Sequence, residues 1–350
     1  VQAVRNGTQG SSTTVYAADI DDDTLNEYVL CNNRAFLCFE GWGARLIKAF
    51  TYDPVVNGGD AIAVVGVPIS NPAEESENEG ADNNRCSGFK DRYCTGRTNA
   101  YVDMDCFLTV APVAGADSWT FRSADSNLVK KVTLPAGRDV VRAEYAMKPA
   151  LGTMYSRHGL GPNQFDLMMH GASNLAAVSD ASFRGLKNAA GGEAYVVAGR
   201  NMAFVDGAIA SAGWDNREMP LAQQFETSSS ATNWTVALAF SEPSARDLDG
   251  DGLSNTNETA LGTDHEKWDT DGDSMPDGYE VANNLNPVAD DAGLDEDDDG
   301  TVNRDEYIAN TTADDPDSFF YVAEMSAGTE SVDLVHSVST GRVYTVLFAD

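Results

Sequence analysis

Basic residues are scarce in this chain: 23 Lys and Arg stand against 55 Asp and Glu, a formal net charge of −32. A surface of that sign repels phosphate, which argues against nucleic acid as a partner. Long apolar runs are missing too. No stretch approaches the roughly 20 residues of a membrane helix, so no membrane span is expected. Histidine occurs four times and never at zinc-ligand spacing; no glycine-rich phosphate loop or nucleophile elbow appears. The chain therefore reads as a non-enzyme. Cysteine is sparse and odd in number, at positions 31, 38, 86, 94 and 106, so at least one stays unpaired. Cys86 and Cys94 share a polar, Gly- and Asn-rich loop that would gain most from a staple. They are the candidate disulfide, with buried free thiols as the alternative.

What the chain has in excess is aspartate, and it is placed in register. Three twelve-residue stretches repeat one spacing. The first is Asp247, Asp249, Asp251, Leu253, Asn255, Glu258. The second is Asp269, Asp271, Asp273, Met275, Asp277, Glu280, and the third Asp295, Asp297, Asp299, Thr301, Asn303, Glu306. Taken as loop positions 1, 3, 5, 7, 9 and 12, each offers side-chain oxygens at 1, 3, 5 and 9. A backbone carbonyl serves at 7, and a glutamate able to bind through both oxygens sits at 12. A hard divalent cation needs six to eight oxygens at roughly 2.3–2.6 Å, and this layout wraps them around one point. Gly252 and Gly300 occupy position 6, where the chain turns sharply, while Ser274 stands there in the second loop.

Charge supports the same reading. Residues 247–317 hold 23 acidic side chains against Lys267 and Arg304, a net −21 in about a fifth of the length. Without counterions such a segment repels itself and should be disordered. Three or more Ca2+ ions would let it fold, which makes the metal structural.

Each loop is followed by a short helical run and a turn ("NETALGTD", "GYEVANNLNP", "DEYIANTTADDP"), and no helix pattern leads into any of them. Over residues 246–317 the pattern resembles the bacterial thrombospondin type 3 repeat, with dockerin half-hands as the nearest relative. That resemblance implies a rod-like, calcium-filled spacer in a secreted or surface-anchored bacterial protein. His265 follows Asp264 where family repeats usually carry proline.

Residues 1–243 read as β structure. Short alternating or apolar runs such as "EYVLC", "AFLCFE", "AIAVVGV", "VVRAEYAM" and "NWTVALAFS" recur between turn signals. Asn32-Asn33 suits a tight hairpin. "QFDLMMHGAS" is the best helix candidate, and Asn71 to Ala100 reads as a long loop. A dozen or so strands imply a large two-sheet β-sandwich, so the fold class is mainly β. The stretches "DIDDDTLNEYVLCNNRAFLCFEGWGARLIKAF" and "MYSRHGLGPNQFDLMMHGASNL" resemble galactose-mutarotase-type β-supersandwich domains found beside glycoside hydrolases. The shared features are the "E-x-x-L-x-N" hairpin and the turn of Gly41 and Gly43 before Arg45 and Leu46. The resemblance implies a carbohydrate-associated sandwich, often a non-catalytic accessory.

A fourth candidate ion site lies at Asp19, Asp21, Asp23, the Leu25 carbonyl and Glu27, where acids alternate just before a strand. An acidic turn is the alternative. Candidate sugar contacts are Trp42 in a Gly-Trp-Gly turn, Trp214 beside Asp215, and His158, near Arg157, Asp166 and His170. An Arg-His-Gly turn more often satisfies backbone groups at a strand end.

Residues 318–350 form three more strand-like runs ("SFFYVAEMSA", "ESVDLVHSV", "GRVYTVLFAD"), resembling the start of an Ig- or fibronectin-like module. Three strands leave an edge and an apolar face bare, which further polypeptide or another molecule would cover. Further copies of the chain, joined head to tail into a fibre, are one such source. The domains expected are thus 1–243, 244–317 and 318–350. The leading expectation is a secreted, calcium-stabilised structural or adhesive protein, with any leader removed ahead of Val1. A carbohydrate-binding accessory module for extracellular glycans is the runner-up, and a mutarotase-like enzyme the third reading.

Overall fold

The short apolar runs fold as antiparallel strands. A computed structural model describes residues 10–20, 24–41, 43–52, 61–65, 87–94, 112–123, 127–148, 152–205, 212–214, 219–319, 321–327 and 332–336. These fall into two compact units, Val1–Leu248 and Asp249–Asp350.

The first unit opens with a five-stranded antiparallel meander in chain order: β1 (Thr14–Ala18), β2 (Glu27–Cys31), β3 (Ala35–Phe39), β4 (Leu46–Tyr52) and β5 (Ala61–Val65). The β2–β3 hairpin turns where Asn32-Asn33 predicts it. Asn32 Oδ1 accepts from the backbone N–H groups of Arg34 (2.8 Å) and Ala35 (3.0 Å), so the side chain closes the turn that the backbone starts. Strand β6 (Lys90–Cys94) corrects the long loop expected over 71–100. It is short and charged, and its partner lies far along the chain, so no local pattern marks it.

The strands β7 (Val113–Ala114), β8 (Ser118–Arg122), β9 (Leu128–Thr133), β10 (Val140–Met147) and β11 (Thr153–Leu160) follow. Helix α1 (Gln164–His170) then forms from the expected segment. After it come β12 (Leu175–Ser179), β13 (Phe183–Asn188), β14 (Glu193–Ala198), β15 (Ala203–Phe204), β16 (Ala212–Trp214), β17 (Met219–Ser229) and β18 (Asn233–Ala239). An eight-stranded sheet runs β12-β13-β14-β18-β10-β9-β8-β7, and another runs β15-β17-β11-β6 with β16 on β17.

These sheets share one core, as a sandwich requires. It takes Leu30, Leu37 and Phe39 from the first sheet, Phe121, Val132, Val141 and Leu238 from the second, and Met154 and Leu160 from the third. Each such side chain stabilises the fold by about 1.5–3 kcal/mol on burial, before conformational entropy is subtracted. The outer face of the second sheet is covered by α2 (Glu242–Arg246), whose Ala245 packs with Leu248 on Phe183, Tyr195 and Val197. That packing carries the first unit to Leu248, five residues beyond the boundary expected at 243. Arg138 Nη2 donates to the carbonyls of Asp247 (2.9 Å) and Leu248 (3.2 Å), anchoring this end.

The second unit holds three short helices, α3 (Asn255–Leu261), α4 (Asp277–Ala282) and α5 (Asn303–Ala309), then the antiparallel pair β19 (Val322–Ala327) and β20 (Val332–His336). Its small apolar core is Met275, Leu285, Ala292 and Ala313, with Tyr279 and Tyr307 packed against it. The third run expected in the tail lies outside the described residues.

Candidate metal centres

Each acidic loop begins as a chain of side-chain-to-backbone turns. In the second loop Asp269 Oδ2 accepts from Ser274 N (2.9 Å), Asp271 Oδ1 from Asp273 N (3.1 Å) and Asp273 Oδ1 from Met275 N (2.9 Å). The third repeats it: Asp295 Oδ2 accepts from Gly300 N (2.9 Å), Asp297 Oδ1 from Asp299 N (3.1 Å) and Asp299 Oδ1 from Thr301 N (2.7 Å). In the first, Asp249 Oδ1 accepts from Asp251 N (3.3 Å) and Asp251 Oδ1 from Leu253 N (2.6 Å). Aspartate recurs because its carboxylate is short enough to bond the backbone two residues on. Position 6 is left-handed in all three, at φ 97° for Gly252, 79° for Ser274 and 99° for Gly300. Ser274 therefore adopts a conformation that glycine takes without strain.

In the second and third loops the acids at positions 3 and 5 give one oxygen to these turns and leave the other, whereas Asp269 and Asp295 at position 1 accept on both. Asp271 Oδ2, Asp273 Oδ2, Asp297 Oδ2, Asp299 Oδ2, Glu306 Oε2 and both carboxylate oxygens of Glu280 are buried without a hydrogen-bond partner. Glu280 and Glu306 are 0 % exposed. The short exit helices put them there, since each helix starts at loop position 9 and its first turn swings position 12 back over the acids. Asp269, Asp271 and Asp273 have carboxylate oxygens within 4.8 Å of one another, as do Asp295, Asp297 and Asp299. Burial, reinforced by Asp273 and Asp271, pushes the Glu280 carboxyl up to about 9. Burial beside Asp297 and Asp299 raises Glu306 to about 7. Asp271, Asp273 and Asp297 are raised too, with burial the largest cause. Buried anions gathered without partners cost free energy unless a cation joins them. Hard oxygens converging at this spacing fit Ca2+ better than a soft-ligand metal.

Two further groupings cross from one repeat to the next. Asp251 and Glu258 of the first loop gather with Asp277, and Asp273 and Glu280 of the second gather with Asp291, again within 4.8 Å. The register placed Asp277 at position 9 of the second loop. It does accept there from Thr270 N (2.8 Å) and Thr270 Oγ1 (2.6 Å), but its carboxylate joins the first loop's acids. Asn303, at the same position in the third loop, accepts from Glu296 N (3.1 Å) and is fully buried, as is Asn255 in the first. Asp247 belongs to the end of the first unit. Leu253 and Met275 are buried at position 7, whereas Thr301 is partly exposed. Sequence reasoning missed Asp291, which lies outside every twelve-residue window; the Asp290-Asp291 pair after Pro287 is its only trace.

The other candidates fare differently. Asp19 Oδ2 accepts from Thr24 N (3.1 Å), and Glu27 Oε2 from Ile20 N (2.6 Å), so both bond the turn before β2. Leu25 is exposed, and Asp21 and Asp23 lie outside the described residues. Trp42 and Cys86 lie outside them as well. Trp214 and Cys94 are described by their backbone alone, in β16 and β6; Cys31 and Cys38 are buried.

His158 needs correction as a sugar contact, because it is 0 % exposed and packs edge-on against Phe89. Its Nδ1 accepts from Phe89 N (3.2 Å), and burial with the nearby Lys130 charge lowers its pKa to about 3. An imidazole sealed and neutral in the core does not meet a sugar. A cavity of about 560 Å3 in the first unit is lined by Arg34, Tyr52, Asp139, Lys187, Asn188 and Glu193, among others, and His158 is not part of its lining. Its charges are paired, Arg34 with Asp139 at 3.4 Å and Lys187 with Glu193 at 3.3 Å.

Buried charges of the sandwich also pair internally. Lys130 Nζ donates to Asp91 Oδ2 (2.9 Å), Ala44 O (2.7 Å) and Phe89 O (3.0 Å), which uses all three ammonium protons. Asp91 accepts in addition from Tyr145 Oη (2.9 Å) and Ser156 Oγ (2.6 Å). Burial raises the Asp91 carboxyl and lowers the Lys130 amine, while their mutual charge opposes both shifts.

No family model and no curated protein matches the chain. Among solved structures it is similar to a 4-alpha-glucanotransferase from Thermococcus litoralis (10 % identity, TM-score 0.33), covering 66 % of this chain and 39 % of that one. It is similar to a bacterial glucoamylase complexed with acarbose (8 %, TM-score 0.37; 65 % and 34 %). It is also similar to YidC from Thermotoga maritima (8 %, TM-score 0.28; 66 % and 51 %). The chain spans between a third and about half of these proteins. The functional reading therefore rests on the side chains.

Proposed function

We propose that the second unit is a calcium-stabilised structural segment, with Ca2+ held at the three acidic loops as an architectural ion. One observation carries this reading: Glu280 is wholly buried among like charges, and neither of its carboxylate oxygens has a partner. A carboxyl sequestered in that way ionises at neutral pH only with a cation beside it, and the donor set is all oxygen. Calcium sites of this kind fill where the free ion is abundant, which supports an extracellular or cell-surface setting. In that setting the sandwich would serve a structural or adhesive role, without catalysis.

The test is calorimetric titration of the metal-stripped full chain with Ca2+, followed by circular dichroism and protease digestion with and without chelator. Three or more tightly held ions, and a 249–319 segment that becomes protease-sensitive on chelation, are expected. A chain that binds no ion and keeps its helical signal in chelator would falsify the proposal.

A further inference from the structure

We infer that the first and second loops load calcium as one coupled event transmitted by helix α4, and that Asp291 is the ligand that completes the second centre. This deepens the calcium reading and rests on it. Helix α4 carries acids of both centres within four residues. Asp277, at its first position, gathers with Asp251 and Glu258, while Glu280, one turn on, gathers with Asp273 and Asp291. The helix is also fastened to the first loop by backbone. Gly278 N donates to Asp251 Oδ2 (3.0 Å), and a Cβ at Gly278 would stand 2.4 Å from the Asp251 carbonyl oxygen. A one-turn helix held on both sides cannot move one acid without moving the other.

Asp291 is positioned with equal care. Its Oδ2 accepts from Asn286 N (2.9 Å), its carbonyl accepts from Asn303 Nδ2 (3.0 Å), and its Oδ1 is buried without a partner. A carboxylate oxygen of Asp291 lies within 4.8 Å of those of Asp273 and Glu280, and both oxygens of Glu280 are unpartnered in a fully buried side chain. A cation drawn in by Asp273, Glu280 and Asp291 therefore fixes α4 and presents Asp277 to the first loop. Thermodynamic linkage makes the effect reciprocal, so filling the first centre strengthens the second by the same factor.

The experiment is a calcium titration of the full chain followed by NMR, using the position-6 amides of Gly252 and Ser274 as separate reporters of the two loops. In the wild type the two resonances are expected to move together over one steep range of calcium. Asp291→Asn should weaken loading at both reporters, the distant Gly252 by roughly 5- to 150-fold, the usual span of coupling between sites. Glu258→Gln, which alters only a first-loop acid, should by reciprocity weaken loading at Ser274. The inference is overturned if each variant displaces only its own loop's reporter, or if Asp291→Asn leaves Ser274 unmoved. If instead wild-type calorimetry shows no bound calcium, the calcium reading falls with it, so the two failures are distinguishable. Amide dispersion of the sandwich in each variant reports that the first unit stays folded.

Discussion

The two units handle buried charge in opposite ways. In the sandwich, Lys130 meets Asp91 at 2.9 Å and Arg157 meets Glu226 at 2.7 Å, so each of these two buried acids has a base of its own. In the second unit neither buried Glu280 nor buried Glu306 forms an ion pair with a described residue, and Lys267 and Arg304 are the only Lys or Arg between 247 and 317. One region carries its neutralising charge in its sequence; we propose that the other takes it from solution. Stability should accordingly be intrinsic in the first unit and conditional in the second.

Chelation should break that comparison most visibly. Removing divalent metal is expected to melt the acidic repeats while the strand signal of the sandwich persists, read by circular dichroism and by the sites of limited proteolysis. Next in size is Lys130→Met, which strands Asp91 in the core and should cost the first unit about 3–5 kcal/mol in denaturant titrations. The double variant Lys130→Met/Asp91→Asn should recover part of that loss. The same variants should leave calcium stoichiometry alone.

Acidity should sharpen the contrast. With chelator present, the Glu280 carboxyl titrates near 9 in the folded unit against 4.5 when unfolded. The folded form thus holds the extra proton between those values, so the repeats that chelator melts at pH 8 should regain stability as pH falls through that window. With calcium present the sign reverses, since protons compete with the ion for the same oxygens. Thermal melts at pH 5.5 and 8, with and without calcium, check both directions. The smallest effect is expected from Ser274→Gly, which relieves the left-handed strain at 79° and should stabilise the loaded second loop by up to about 1 kcal/mol.

Legibility in the sequence followed the range of the interactions. Loop acids were readable because each bonds the backbone within five residues, as Asp273 bonds Met275 N and Asp269 bonds Ser274 N. The Asn32 hairpin and helix α1 were readable for the same local reason. Asp277 was readable as an acid in register but not as a member of the neighbouring loop's group, and Asp291 was not readable at all. Both depend on how one repeat lies against the next, which no single window contains. In "VKKVTL" nothing marks Lys130 as the buried lysine, because its partner Asp91 is 39 residues away in an unmarked strand. His158 misled for a related reason: an Arg-His-Gly string is equally compatible with an exposed turn and with β11 running through the core.

The close approach at Gly278 sets a limit on how such an array can be edited. A repeat lifted out by simple excision would take Asp277 from the loop before it, leaving a gap in a centre whose own twelve residues were untouched. Designers shortening or splicing this segment should keep each shared group of acids whole, with the Asp251–Gly278 junction intact, rather than cut at the borders that the periodicity advertises.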